Sequence, residues 1–163
     1  GAIAINLAIH LPAAKIFAVD VADAALDVAA YNIRAHSVGD RVTLGIGDLL
    51  DAVPEPVDLI VANLPYIQSD RIPTLQPEVQ QEPLLALDGG TDGLVLIRRL
   101  LTQAEAKLKP AGMILLEMDP EQIPIVQDLA KQHFPEGSSS VEPDLAGMDR
   151  ILTIHRKTLD NLL

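Results

Sequence analysis

Apolar positions fall into two kinds of run along this chain. Residues 57–61, Val-Asp-Leu-Ile-Val, are apolar apart from one acid, the pattern of a strand buried in a parallel sheet. Residues 15–20, 42–46 and 113–118 read as strands of the same kind. Between them the spacing turns helical. Residues 1–11 are apolar except for Asn6 and His10, and Pro12 follows. That predicts a buried helix with His10 at its end. Over 23–37, Ala24, Leu26, Ala29, Ala30 and Ile33 share one face, Asp23 suits the N-cap, and Gly39 closes the helix. Over 93–108, Leu94, Ile97, Leu100, Leu101, Ala104 and Leu108 do the same, with Thr91 or Asp92 as cap. Asp119-Pro120 opens a further helix to about Phe134. Residues 141–145 and 150–155 read as a closing strand pair, joined at 146–149. Residues 67–87 hold no period, and Pro65, Pro73, Pro77 and Pro83 keep this stretch irregular. A loop of that length inside a domain is usually functional. The alternation predicts one α/β domain over residues 1–163. Its sheet is mostly parallel, with helices on both faces and an antiparallel closing strand.

The strand ends carry the candidate chemistry. Open α/β sheets bind ligands outside the carboxyl ends of their strands. The strand at 57–61 runs into Ala62-Asn63-Leu64-Pro65-Tyr66. Pro65 forbids its continuation. Asn63 offers one acceptor and two donors, and Tyr66 supplies an aromatic wall. The pair suits a planar amide or amino group, although Asn-x-Pro is also an ordinary turn after a strand. Asp20 ends its strand where nucleotide-binding domains place a carboxylate against ribose hydroxyls. Asp48, beside Leu49, follows the strand at 42–46. The acid could accept from an adenine amino group while Leu49 covers the ring, or Asp48 could cap its own turn. Arg150 and Arg156 read as solvated charges.

Composition narrows the field. Aromatic residues make up 2% of the 163 residues, so the core is aliphatic. The formal net charge is −11, which argues against a nucleic-acid substrate, because neutralising phosphates needs lysine and arginine. There is no cysteine, so disulfides and thiolate metal sites are excluded and no metal site is expected. This composition fits a reducing compartment.

The run Asn63-Leu64-Pro65-Tyr66-Ile67, then Glu82-Pro83, then Ala86-Leu87-Asp88-Gly89-Gly90-Thr91-Asp92-Gly93, resembles the release-factor glutamine methyltransferase family. Leu108-Lys109-Pro110-Ala111-Gly112 and Asp144-Leu145-Ala146-Gly147-Met148-Asp149-Arg150 extend the resemblance to nearly the whole chain. The resemblance implies a Rossmann-like, class I S-adenosylmethionine-dependent fold in the cytoplasm. It implies methylation of the glutamine side-chain amide in the Gly-Gly-Gln motif of peptide-chain release factors. The catalytic group would be Asn63, Leu64, Pro65 and Tyr66, with the acceptor amide donating to Asn63 and to the carbonyl of Leu64. Asp20, Asp48, Leu49 and Asn63 would face the cofactor. Orientation rather than acid–base catalysis would then drive transfer. Leu64 stands where the family has proline, keeping the carbonyl but giving up stiffness.

The family also has a first strand, an Asp-x-Gly-x-Gly-x-Gly turn and an N-terminal helical domain that this sequence does not display. The expectation is therefore a catalytic domain cut inside its cofactor motif, with weak cofactor binding. The family strand order, 3-2-1-4-5-7-6, would leave two open edges about 9–10 Å apart, closed by strained pairing or by a homodimer. The alternatives are an impaired fragment or protein-binding module of the same fold, and a nucleic-acid N-methyltransferase.

Overall fold

The structure, a computed structural model, describes residues 1–158. Its chain divides into two compact units, Gly1–Glu55 and one that opens at Pro56.

The first unit contains α1 (Ala2–His10), β1 (Ile16–Asp20), α2 (Asp23–Ala35) and β2 (Val42–Ile46). β1 and β2 pair in parallel, from Ile16 opposite Val42 to Asp20 opposite Ile46. The small alanines of α1 let the helix lie close to its neighbours. Ala4, Ile5 and Ala8 are buried together with Ile33, Val38 and Val42, and Ile16, Ala18 and Leu44 pack against them. Arg41 donates to the Ala8 carbonyl near the end of α1. His10 is the last residue of that helix and is exposed. Three details differ from the pattern reading. Ala24 is exposed, because Ala29 and Ile33 fill the inward stripe of α2. Asp23 is the first helical residue and not the cap; Asp20 instead accepts the Ala22 N–H through Oδ1 at 2.9 Å. The helix also ends before Gly39, with Ser37 turned to a φ of 54°.

The second unit contains β3 (Val57–Asn63), the short α3 (Leu84–Leu87), α4 (Val95–Lys107), β4 (Leu108–Glu117), α5 (Ile123–His133), β5 (Ser138–Pro143) and β6 (Asp149–His155). Its sheet runs β3-β4-β6-β5. The β3–β4 pair is parallel, and β6 is antiparallel to both neighbours. Each unit thus has parallel pairing where the helix–strand alternation predicted it, and the antiparallel closing pair is present. The strands form two sheets, with β1 paired to β2 alone and β3 to β4 alone. α4 buries Ile97, Leu100, Leu101 and Ala104, as its spacing required. Leu94, not Thr91 or Asp92, is its N-cap; Asp92 accepts the Leu94 N–H at 3.1 Å in the turn just before the helix.

The stretch at 67–87 is irregular, as expected, but it contains two 3-10 turns, Ile72–Thr74 and Val79–Gln81, before α3. The hairpin between β5 and β6 turns earlier than its sequence suggested, because Asp144 accepts from the backbone N–H groups of Ala146 and Met148. Neither late arginine is simply solvated. Arg156 donates to the carbonyls of Leu108 and Glu105 and lies over the Phe134 ring. Arg150 is half-buried against Asp144 and the Met118 carbonyl. No helix among the described residues is long and apolar enough to cross a membrane.

Ile114 sits in β4 between β3 and β6 with no exposed surface. Truncation there leaves a cavity, so Ile114→Ala should cost about 2–5 kcal/mol. Val95→Ala, at a partly exposed position, should cost less than about 0.5 kcal/mol. Urea midpoints of the two variants test the assignment of the core.

Candidate functional site

The carboxyl ends of the strands gather the candidate residues in each unit. In the first unit, β1 ends on Asp20 and β2 runs into Gly47, and the Gly47 N–H donates to the Asp20 carbonyl at 3.0 Å. Asp20 and Asp48-Leu49 are thereby brought to one end of the parallel pair. One carboxylate oxygen of Asp20 is committed to the Ala22 N–H, which turns the side chain into a fixed acceptor at the strand end. A cleft of about 30 Å³ lies beside it, lined by Ala18, Val19, Ala25 and Leu44 among others. Asp48 takes part in a turn of its own, its carbonyl accepting the Asp51 N–H at 3.2 Å. Leu49 adopts a φ of 57°, a left-handed conformation that is costly for a branched side chain and collects at functional sites.

In the second unit, Asn63 closes β3 and is exposed, while Leu64, Pro65 and Tyr66 are half-buried. What holds this loop is main chain against main chain. Ile67 and Asp88 form a parallel bridge. The Ile67 N–H donates to the Leu87 carbonyl at 3.1 Å, and the Gly89 N–H returns to the Ile67 carbonyl at 2.8 Å. A Cβ on Gly89 would stand 2.7 Å from the Pro65 carbonyl oxygen and 2.8 Å from the Tyr66 Cα. A Cβ on Gly93, whose φ is 73°, would strike the Tyr66 carbonyl and the Gln122 side chain. These two glycines are required because the Pro65-Tyr66 backbone lies on them. The Asp-Gly-Gly-Thr-Asp-Gly cluster is therefore a seat for the loop.

Two acids brace the seat. Asp88 accepts from Ser69 Oγ at 2.7 Å and from the Gly90 N–H at 2.8 Å. Those bonds hold its carboxyl below the usual 3.8. Asp92 pairs with Arg98 at 2.6 Å. That bond holds the Asp92 carboxyl down and the Arg98 guanidinium up.

Four contributors were not singled out as site residues from the sequence. Glu117, the last residue of β4, accepts from Asn63 Nδ2 at 3.1 Å. Gln122, buried, donates from Nε2 to the Tyr66 carbonyl at 2.8 Å, and its Oε1 takes the Asp119 N–H at 3.3 Å. Asp119 and Arg150 lie close enough to act on Tyr66 electrostatically. Burial raises the Tyr66 phenol above 10.0. Glu117 adds to the rise, Arg150 opposes it, and Asp119 adds again. One available signal was the acid at the end of an apolar run, since Glu117 occupies the same place on its strand as Asp20 and Asn63 do on theirs.

The "Methyltransferase small domain" family model matches residues 1–81. A release factor glutamine methyltransferase of Moorella thermoacetica is 43% identical over 158 residues, covering 96% of this chain and 56% of that protein. The chain belongs to the glutamine methyltransferase family that includes the release-factor enzymes. A ribosomal protein uL3 glutamine methyltransferase of Bradyrhizobium diazoefficiens is 40% identical over 137 residues, 83% of this chain and 41% of that protein. The chain spans about half the length of the curated relatives it matches. Among solved structures, a methyltransferase from Pyrococcus furiosus superposes with a TM-score of 0.70 at 17% identity, covering 97% of this chain and 70% of that one. The class I methyltransferase fold expected from the sequence is thus present. The cofactor that goes with it is S-adenosylmethionine. The Asp20 carboxylate at the strand end is a hydrogen-bond acceptor, which fits the hydroxyl donors of such a cofactor.

Tyr66 gives this site a spectroscopic handle, because Tyr31 is the only other tyrosine. In a Tyr31→Phe background the remaining phenol should ionise above 10.0. Glu117→Gln should lower that midpoint and Arg150→Gln should raise it, as read by ultraviolet titration. A phenol raised in the folded state contributes stability below its unfolded pKa. That contribution should disappear as pH rises through the folded value. Gly93→Ala, which sets a Cβ against the Tyr66 carbonyl at positive φ, should cost about 1–3 kcal/mol, measured by denaturant unfolding.

Proposed function

We propose that this chain carries the methyl-transfer site of an enzyme that moves the methyl of S-adenosylmethionine to a glutamine side-chain amide. The acceptor is the glutamine of the Gly-Gly-Gln motif of a peptide-chain release factor, met in the cytoplasm. The observation that carries this reading is Asn63. It stands exposed at the carboxyl end of β3, next to half-buried Tyr66, on a loop whose backbone is clamped by Gly89, Gly93 and Gln122.

An amide nitrogen is a poor nucleophile because its lone pair is delocalised into the carbonyl. Chemistry at this atom needs the group to be held so that the lone pair faces the methyl, and a fixed donor–acceptor frame does that. Asn63 Oδ1 and the Leu64 carbonyl take the two N–H groups of the acceptor, and the Tyr66 ring forms one wall. Asp20 accepts from the ribose of the cofactor, and Asp48 with Leu49 frames its adenine. The cofactor supplies the electrophilic methyl, and the chain's residues orient the acceptor and exclude water. A negative chain, at −11, suits a protein acceptor better than a phosphate backbone.

Asn63→Ala removes one oriented acceptor. It should cost about 2–4 kcal/mol in the barrier, by analogy with loss of one transition-state hydrogen bond. Transfer of labelled methyl from S-adenosylmethionine to a purified release factor measures this. Full activity in Asn63→Ala would refute the assignment, and so would unchanged labelling of a release factor whose motif glutamine is replaced.

A further inference from the structure

Asn63 and Glu117 are register partners in the parallel β3–β4 pair. Partners in adjacent strands stand about 4.8 Å apart and project from the same face of a sheet. Their contact is therefore set by strand pairing. Asn63 Nδ2 donates to Glu117 Oε2 at 3.1 Å. Among the described residues, Oδ1 of Asn63 takes no hydrogen bond.

We propose that Glu117 is a positioning residue that decides which atom of the Asn63 amide faces the acceptor. The inference rests on the amide-methylating reading above and deepens it. The two ends of an asparagine amide are nearly the same size and opposite in polarity. Rotation about the last side-chain bond exchanges an acceptor for a donor. An ionised carboxylate accepts only. Glu117 can therefore hold only the NH2 end of Asn63, and Oδ1 must point outward.

The polarity matters because a primary amide offers N–H donors at the atom that is methylated. Oδ1 attracts those donors. An inverted Asn63 would set donor against donor and push the nitrogen away. Glu117 thus makes Asn63 a one-way acceptor and selects for NH2-bearing groups over carbonyl or carboxylate oxygens. It touches neither acceptor nor cofactor in this role and acts through Asn63.

Glu117→Gln keeps shape and volume while removing the one-way character, because a neutral amide can face Asn63 either way. The Asn63 side-chain amide is followed by nitrogen–proton correlation spectroscopy, its signal assigned by its disappearance in Asn63→Ala. In the wild-type chain its protons should exchange more slowly with solvent than those of exposed asparagines. In Glu117→Gln that protection should vanish and the signal should shift toward theirs. In the methylation assay Glu117→Gln should lower kcat by about tenfold to a hundredfold, the scale of one charge-assisted hydrogen bond, with KM for the acceptor changed far less. The double variant Asn63→Ala, Glu117→Gln should be no slower than Asn63→Ala alone, since both changes act on one contact.

An Asn63 amide signal that ignores Glu117→Gln would overturn the proposal. Multiplying rate losses in the double variant would do so too, because Glu117 would then act on the reaction directly. A wild-type chain that labels no glutamine defeats the substrate reading, while the amide signal still decides the Glu117 link.

Discussion

The path of the loop after β3 in the second unit depends on how the Pro65-Tyr66 backbone is seated. The Tyr66 carbonyl receives Gln122 Nε2 at 2.8 Å, and Gly93 lies against the same oxygen with no room for a Cβ. Burying a polar side chain such as Gln122 is unfavourable unless both ends of its amide are used. Both are used here, one on Tyr66 and the other on the Asp119 N–H. The buried side chain therefore ties the loop after β3 to the turn after β4. The strands themselves are held by ordinary aliphatic packing around Ile114, Leu116 and Leu152.

This division of labour explains how Leu64 is accommodated. Proline at that position would stiffen the loop from within. Here the loop is restrained from outside, by the bridge between Ile67 and Asp88 and by the two glycines. The carbonyl at position 64 needs only the main chain, so the identity of the side chain matters less than the seat beneath its neighbours. The acids of the seat, Asp88 and Asp92, are engaged by Ser69, Gly90 and Arg98 and stay ionised below their ordinary range.

Much of the fold was legible in the sequence. The strands at β1, β2 and β3 and the inward stripe of α4 follow from periodicity alone, because aliphatic runs and the helical repeat are local signals. Asn63, Asp20 and Asp48 were legible because each follows an apolar run. The pairing of Asn63 with Glu117 was not, since the two are 54 residues apart and meet only through strand register. Gln122 read as one more polar helix residue, and its burial depends on a carbonyl contributed by a distant loop. Arg150 and Arg156 looked like surface charges because nothing local marks a guanidinium that reaches a backbone carbonyl. The commitment of one Asp20 carboxylate oxygen to the following turn was not legible either, because it depends on how the chain bends after β1.

The glycine seat has a consequence for inheritance. A loop shaped by its own side chains would change form with every mutation in it. A loop shaped by main-chain contacts from elsewhere keeps its path while its side chains drift. Selection can then revise what the Asn63–Tyr66 loop recognises without rebuilding the scaffold, much as a lathe accepts new tools in an unchanged chuck. Gly89 and Gly93 are the fixed jaws, because they grip main-chain atoms of Pro65 and Tyr66 that every residue shares.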